Sequence, residues 1–183
     1  MRRGFTLLEI IVAIGLFTIV AFLTTGSLLI LNNAQRKAFF IQTNQDNVRF
    51  TLESMAREIR TGVNYTLLNP PPSQFNANAC SDTPLGACFG FTNAQKPNQY
   101  VVYKLSSSTI QKSVDGGVIF QPITAPEVFI NNLRFYIAGA SLTDNFQSRV
   151  TIVIQAITPG ADPNSSRLDV QTTVNRLRRD TAP

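Results

Sequence analysis

The chain has 183 residues, enough for one ordinary domain with an appendage and too few for two full domains. Its 16 basic and 11 acidic side chains leave a formal charge of +5, spread too thinly for a nucleic-acid face. With no histidine and two cysteines, it cannot build a Ser/His/Asp or Cys/His catalytic set, and a zinc site would lack ligands.

No glycine-rich phosphate loop of the G-x-x-x-x-G-K type occurs either. The expectation is therefore a protein that is not an enzyme and holds no cofactor or metal. A calcium site drawn from Asp115, Asp144, Asp162 and Asp169 is a minor alternative, since these acids sit where Asp commonly makes local turn contacts.

All 10 prolines fall from Pro70 onward, dividing the chain into a helix-compatible front and a turn-rich back. Residues 1–4 read as a short basic leader. Phe5 to Leu31 is a 27-residue apolar run whose single charge is Glu9. At about 1.5 Å per residue it is long enough to cross a bilayer core of roughly 30 Å. A removable secretory signal would have a shorter apolar region ending in a small-x-small cleavage site, and neither feature is present. Counting basic residues on either side, Arg2 and Arg3 against Arg36 and Lys37, leaves the orientation nearly balanced. We expect Met1 to Gly4 inside and the back half outside, where an oxidising compartment suits the cysteines.

Residues 32–62 continue the helix as an amphipathic segment. Ala34, Ala38, Ile41, Val48, Leu52, Met55 and Ile59 share one helical face, which needs a sheet to cover it. Arg57 and Arg60 in the last turn, followed by Gly62 at the C′ place, mark the expected stop. Glycine at Gly26 is either a loosening point in the apolar helix or a small packing residue.

Residues 63–183 form the expected β-rich head, so the fold class is α+β: a long membrane-spanning helix packed on an antiparallel sheet. Gln99–Leu105 and Thr109–Val114 read as a hairpin around Ser106-Ser107-Ser108, with Val118–Gln121 as a third strand after Asp115-Gly116-Gly117. Val128–Ala138, Arg149–Thr158 and Leu168–Leu177 complete about six strands. Asn69 to Asn98 has no sustained period and reads as a long surface loop, of the kind that often carries function. Within it Cys80 and Cys88 either close a small disulfide loop or remain free thiols, depending on compartment. Asn64-Tyr65-Thr66 and Asn164-Ser165-Ser166 match the glycosylation pattern but are read as loop residues.

A carboxylate inside a membrane helix costs about 2.5–3.5 kcal/mol and calls for a partner. Glu9 has no basic neighbour within two turns on its C-terminal side. Cutting between Gly4 and Phe5 would create an α-amine one helical turn away, able to meet Glu9 of an adjacent copy. Arg3-Gly4-Phe5-Thr6-Leu7-Leu8-Glu9 resembles the class III signal of type IV pilins and type II secretion pseudopilins. That resemblance implies prepilin peptidase cleavage after Gly4, N-methylation of Phe5, and Glu9 as the residue that registers subunits in a filament. It also implies an inner-membrane, single-pass protein, later part of a pilus or pseudopilus. Its partners would be other pilin-like subunits, the peptidase, an inner-membrane assembly platform and membrane lipid, with no nucleic acid. The mid-helix proline of many type IV pilins is replaced by the Thr24-Thr25-Gly26-Ser27 neighbourhood.

A second, shorter likeness joins Val128–Ile137 and Leu168–Asp180 to J-type minor pseudopilins, implying a tip position; W-type minor pilins stay open. The alternatives are a membrane-anchored binding domain that does not polymerise, and a DNA-uptake pilin using the Arg176, Arg178, Arg179 cluster.

Overall fold

The computed structural model describes residues 6–68, 70–140, 146–157 and 167–177. The chain forms two compact units, Met1–Gln42 and Thr43–Pro183. Helix α1 runs from Leu7 to Arg60 and contributes to both.

In the first unit the helix is apolar on every side from Ile10 to Leu31, and its side chains there are exposed throughout. Its hydroxyl residues do not break it, because each satisfies itself against the preceding turn: Thr18, Thr24, Thr25 and Ser27 donate to the carbonyls of Ile14, Val20, Ala21 and Leu23 at 2.8–3.0 Å. Such local bonding would let these polar side chains sit in a helix surrounded by lipid as well as in water. The helix is continuous through Gly26, where an added Cβ would meet nothing within 4 Å.

In the second unit α1 buries Asn44, Val48, Thr51, Leu52, Met55 and Ile59. The expected stripe is thus shorter at its start than its spacing suggested. Ala34 and Ala38 are exposed and Ile41 is half-buried; burial begins only at Asn44. The end of the helix also differs from expectation. Gly62 is not a left-handed cap but the first residue of strand β1 (Gly62–Leu67). Glycine is needed there for space, since a Cβ would lie 2.4 Å from Cδ2 of the Phe91 ring.

Among the described residues the head has eight strands in two sheets, where about six strands in one were expected. The first sheet pairs β1, β2 (Cys88–Asn93), β3 (Tyr100–Ser106), β4 (Thr109–Ser113) and β5 (Gln121–Pro122) in that order, all antiparallel. The second pairs β6 (Phe129–Ala138), β7 (Arg149–Ile157) and β8 (Arg167–Asn175), also antiparallel.

The β3–β4 hairpin closes through two left-handed residues, Ser107 and Ser108, the turn whose twist matches paired strands. The third strand expected at Val118–Gln121 shrinks to Gln121–Pro122, because residues up to Ile119 bend around Asp115. Proline is tolerated in β5 because the strand is an edge. Strand β2 lies inside the stretch expected to be loop, and Asn64-Tyr65-Thr66 lies in β1 rather than a loop.

The main core joins the α1 face to both sheets through Phe89, Phe91, Val101 and Tyr103 on one side and Leu133, Phe135, Ile152 and Ile154 on the other. The β7 alternation Val150, Ile152, Ile154, Ala156 is buried residue for residue. Each such aliphatic or phenyl side chain contributes roughly 1.5–3 kcal/mol on burial. A smaller cluster of Leu68, Phe75, Ala79, Cys80, Cys88 and Val102 forms separately, with Tyr100 and Phe120 packed against it.

Candidate functional site

Gly4 and Phe5, the expected cleavage and methylation residues, lie outside the described residues. The first visible feature is a cap. Thr6 precedes α1, its Oγ1 accepting from the Glu9 backbone N–H and its carbonyl from the Ile10 N–H, both at 3.3 Å. Thr6 and Glu9 therefore occupy the N-cap and N3 places of a Thr-x-x-Glu capping pattern, a signal also present in the sequence. The position also places a carboxylate at the positive end of the helix dipole. Among the described residues no cation pairs with Glu9.

At the other end of α1 the orphan carbonyls are met from the head. The Tyr65 hydroxyl donates to the carbonyls of Ile59 (2.6 Å) and Gly62 (3.0 Å), and Leu177 N–H donates to Arg60 O at 3.0 Å. Burial pushes the Tyr65 phenol up to about 12, against a smaller opposing effect of Arg176. The Tyr103 hydroxyl donates to Glu58 Oε2 at 2.7 Å while Lys112 pairs with Oε1 of the same carboxylate. Burial, then the Glu58 charge, holds the Tyr103 proton on far above the usual range.

Cys80 and Cys88 are bonded to each other. The loop they close ties the two sheets together. On one side Asp82 accepts from Lys104 Nζ of β3 at 3.1 and 3.3 Å and from the Ser106 hydroxyl at 3.3 Å. On the other, the carbonyls of Gly86 and Leu85 accept from Phe135 N–H (2.8 Å) and Arg134 Nη1 (3.3 Å) of β6. Lys104 is buried, with its Nζ 4.3 Å from the centre of the Phe120 ring. The Lys104 hydrogen bond holds the Asp82 carboxyl below its ordinary value. Sequence reasoning saw the loop but not Asp82, Lys104 or the edge of β6 as its partners, because these are far apart along the chain.

Two of the four acids weighed for calcium, Asp115 and Asp169, have other partners. Asp115 accepts from the N–H groups of Val118 (3.0 Å) and Ile119 (3.1 Å) and contacts the Ser113 hydroxyl, which lowers its carboxyl. Asp169 accepts from Gln155 and Arg167, Gln155 lowering it most. Asp144 and Asp162 lie outside the described residues, as do Asn164, Arg178 and Arg179. Among the described residues no three potential metal ligands gather.

No curated protein and no solved structure matched the chain. Residues 1–25 match the model of the prokaryotic N-terminal methylation motif, and they lead directly into a helix long and apolar enough to cross a membrane. The chain thus begins with the methylation motif that marks a type IV pilin-like prepilin peptidase substrate, and that motif lies on the one helix, among the described residues, long and apolar enough to cross a membrane.

Proposed function

We propose that this protein is a structural, non-enzymatic subunit of a type II secretion pseudopilus or type IV pilus. The leader is removed after Gly4, Phe5 is methylated, and the apolar part of α1 leaves the inner membrane to pack among other pilin-like subunits on an assembly platform. The observation that carries this reading is the methylation motif continuing into the stretch of α1 up to Leu31, which is apolar and exposed on all sides, with Phe22 81 % exposed, and whose one carboxylate, Glu9, has no partner among the described residues. A surface of that kind is stable in lipid or against like helices, and in neither case does Glu9 gain a partner from its own described chain. The amine of a trimmed neighbour supplies one.

Within this reading we place the chain as a minor, J-type tip subunit, on the likeness of its β6 and β8 segments. The test is Glu9→Leu in cells that carry the assembly machinery. The expected result is normal membrane insertion with filaments lost; normal filaments would overturn the assembly role. The mass of the mature N-terminus is the companion measurement, with methylated Phe5 expected. An intact Met1 would favour the second reading, a membrane-anchored binding domain, for which the head offers a specific cleft.

A further inference from the structure

An open cleft of about 380 Å³ lies on β1, β2 and β3, next to the smaller apolar cluster and away from the α1 face of that sheet. Val63, Thr92 and Tyr100 are direct cross-strand partners, so three adjacent strands supply one row of its wall. Asn64, Gln74, Asn93, Ala94 and Pro97 complete the lining, which among the described residues holds no Asp, Glu, Lys or Arg.

Two features separate this cleft from an ordinary surface dip. First, among the described residues the exposed Asn64 and Gln74 side chains, the Thr92 hydroxyl and the Tyr100 hydroxyl have no hydrogen-bond partner, so all four are open to a ligand. Asn93, in the same lining, is by contrast committed: it donates to Gln99 Oε1 at 2.7 Å and accepts from Gln95 N–H at 3.0 Å, which shapes the rim. Second, Asn64 has φ of +56°. It lies in a bulge, where pairing passes from Val63↔Thr92 to Thr66↔Gly90, so that β1 advances three residues against two on β2. A bulge re-aims a side chain, and asparagine is among the few non-glycine residues that adopt the left-handed conformation this one uses.

The lining selects a chemistry. An ion would find no counter-charge, and a purely apolar ligand would dry four polar groups without replacing their water contacts. Carboxamides and hydroxyls both donate and accept, which suits a ligand whose ring hydroxyls also do both, while Tyr100, Pro97 and Val63 offer apolar surface to the C–H face of such a ring. The volume is at the small end of ligand sites. We infer that the cleft binds a neutral saccharide of one or two rings, through Asn64, Gln74, Thr92 and Tyr100.

The test uses the full chain in a sugar-free detergent and saturation-transfer NMR. Glucose, galactose, mannose and N-acetylglucosamine are the probes, with glucuronate and N-acetylneuraminate as anionic comparators. At least one neutral probe is expected to give a transfer signal that Asn64→Gly abolishes and Thr92→Val reduces. Glycine keeps the positive φ, and valine keeps the shape of threonine, so both variants retain the fold; an unchanged melting temperature checks this. Silence from every neutral probe, signal from the anionic sugars alone, or signal unchanged in both variants would overturn the inference. Filament formation by Asn64→Gly is expected to be normal, so this outcome is read independently of the Glu9 experiment.

Discussion

Asp82 and Lys104, 22 residues apart in sequence, meet at 3.1 Å, and through that pair a disulfide-closed loop is fastened to the middle of a sheet. The lysine is the buried partner, its side chain 10 % exposed against 50 % for the aspartate. Asp82→Asn leaves the ammonium buried with weaker compensation. Breaking a fully buried pair costs about 3–5 kcal/mol, and solvent at Asp82 reduces this to about 1–2 kcal/mol. The double variant Asp82→Asn, Lys104→Met should recover most of the loss in urea unfolding. The pH dependence follows from the lowered Asp82 carboxyl: its contribution is present above the unfolded-state value and is lost as pH falls through the folded value. Acid unfolding of Asp82→Asn is therefore expected to be less steep than that of the parent.

Removing the disulfide tests how the loop couples the sheets. For a loop this short the chain-entropy contribution is about 2–3 kcal/mol, so Cys80→Ser with Cys88→Ser should lower the unfolding free energy by that order. The more specific outcome is local. The Phe135 amide, which donates to Gly86 O, should exchange with solvent faster, while β7 and β8 amides paired within their own sheet should change less. Uniform acceleration across β6, β7 and β8 would contradict the coupling described.

Gly62→Ala probes the abrupt passage from helix to sheet. The new methyl would lie 2.4 Å from a ring carbon of Phe91, which is 1 % exposed and has no room to withdraw. Overpacking of this kind costs about 1–3 kcal/mol. Measured by denaturant unfolding, Gly62→Ala should be clearly destabilised, whereas Gly26→Ala, with open space around it, should not be.

Tyr65→Phe removes the hydroxyl that serves two carbonyls at the end of α1. At about 1 kcal/mol for each net hydrogen bond, a loss of about 1–2 kcal/mol is expected near neutral pH. Because the folded-state phenol is raised to about 12, its contribution persists below the unfolded value near 10 and declines as pH rises towards 12. The difference between parent and Tyr65→Phe should therefore shrink above pH 10. A constant difference across that range would show that the hydroxyl is not the titrating group responsible.

Much of this protein is written in short-range pattern. Proline-free sequence and helical spacing around Val48, Leu52, Met55 and Ile59 specify the helix, because residues three and four apart share a face whatever lies elsewhere. Alternation from Val150 to Ala156 specifies β7 for the same kind of reason, and the Gly4-Phe5-Glu9 pattern identifies the N-terminus before any fold is known. Tertiary structure decided the rest. Strand β2 is hidden because Gly90 weakens its local signal; that glycine is needed because Phe75 and Leu68, 15 and 22 residues earlier, pack where a Cβ would be, at 2.9 and 3.0 Å. Gly62 was misread because a clash with Phe91 cannot be seen in the residues beside it. The division into two sheets, the loop that joins them, and the cleft formed by Asn64, Thr92 and Tyr100 all depend on chain segments meeting across long sequence distances. Periodicity reports which face of an element is apolar, but which elements then share that face is settled only when the whole core packs.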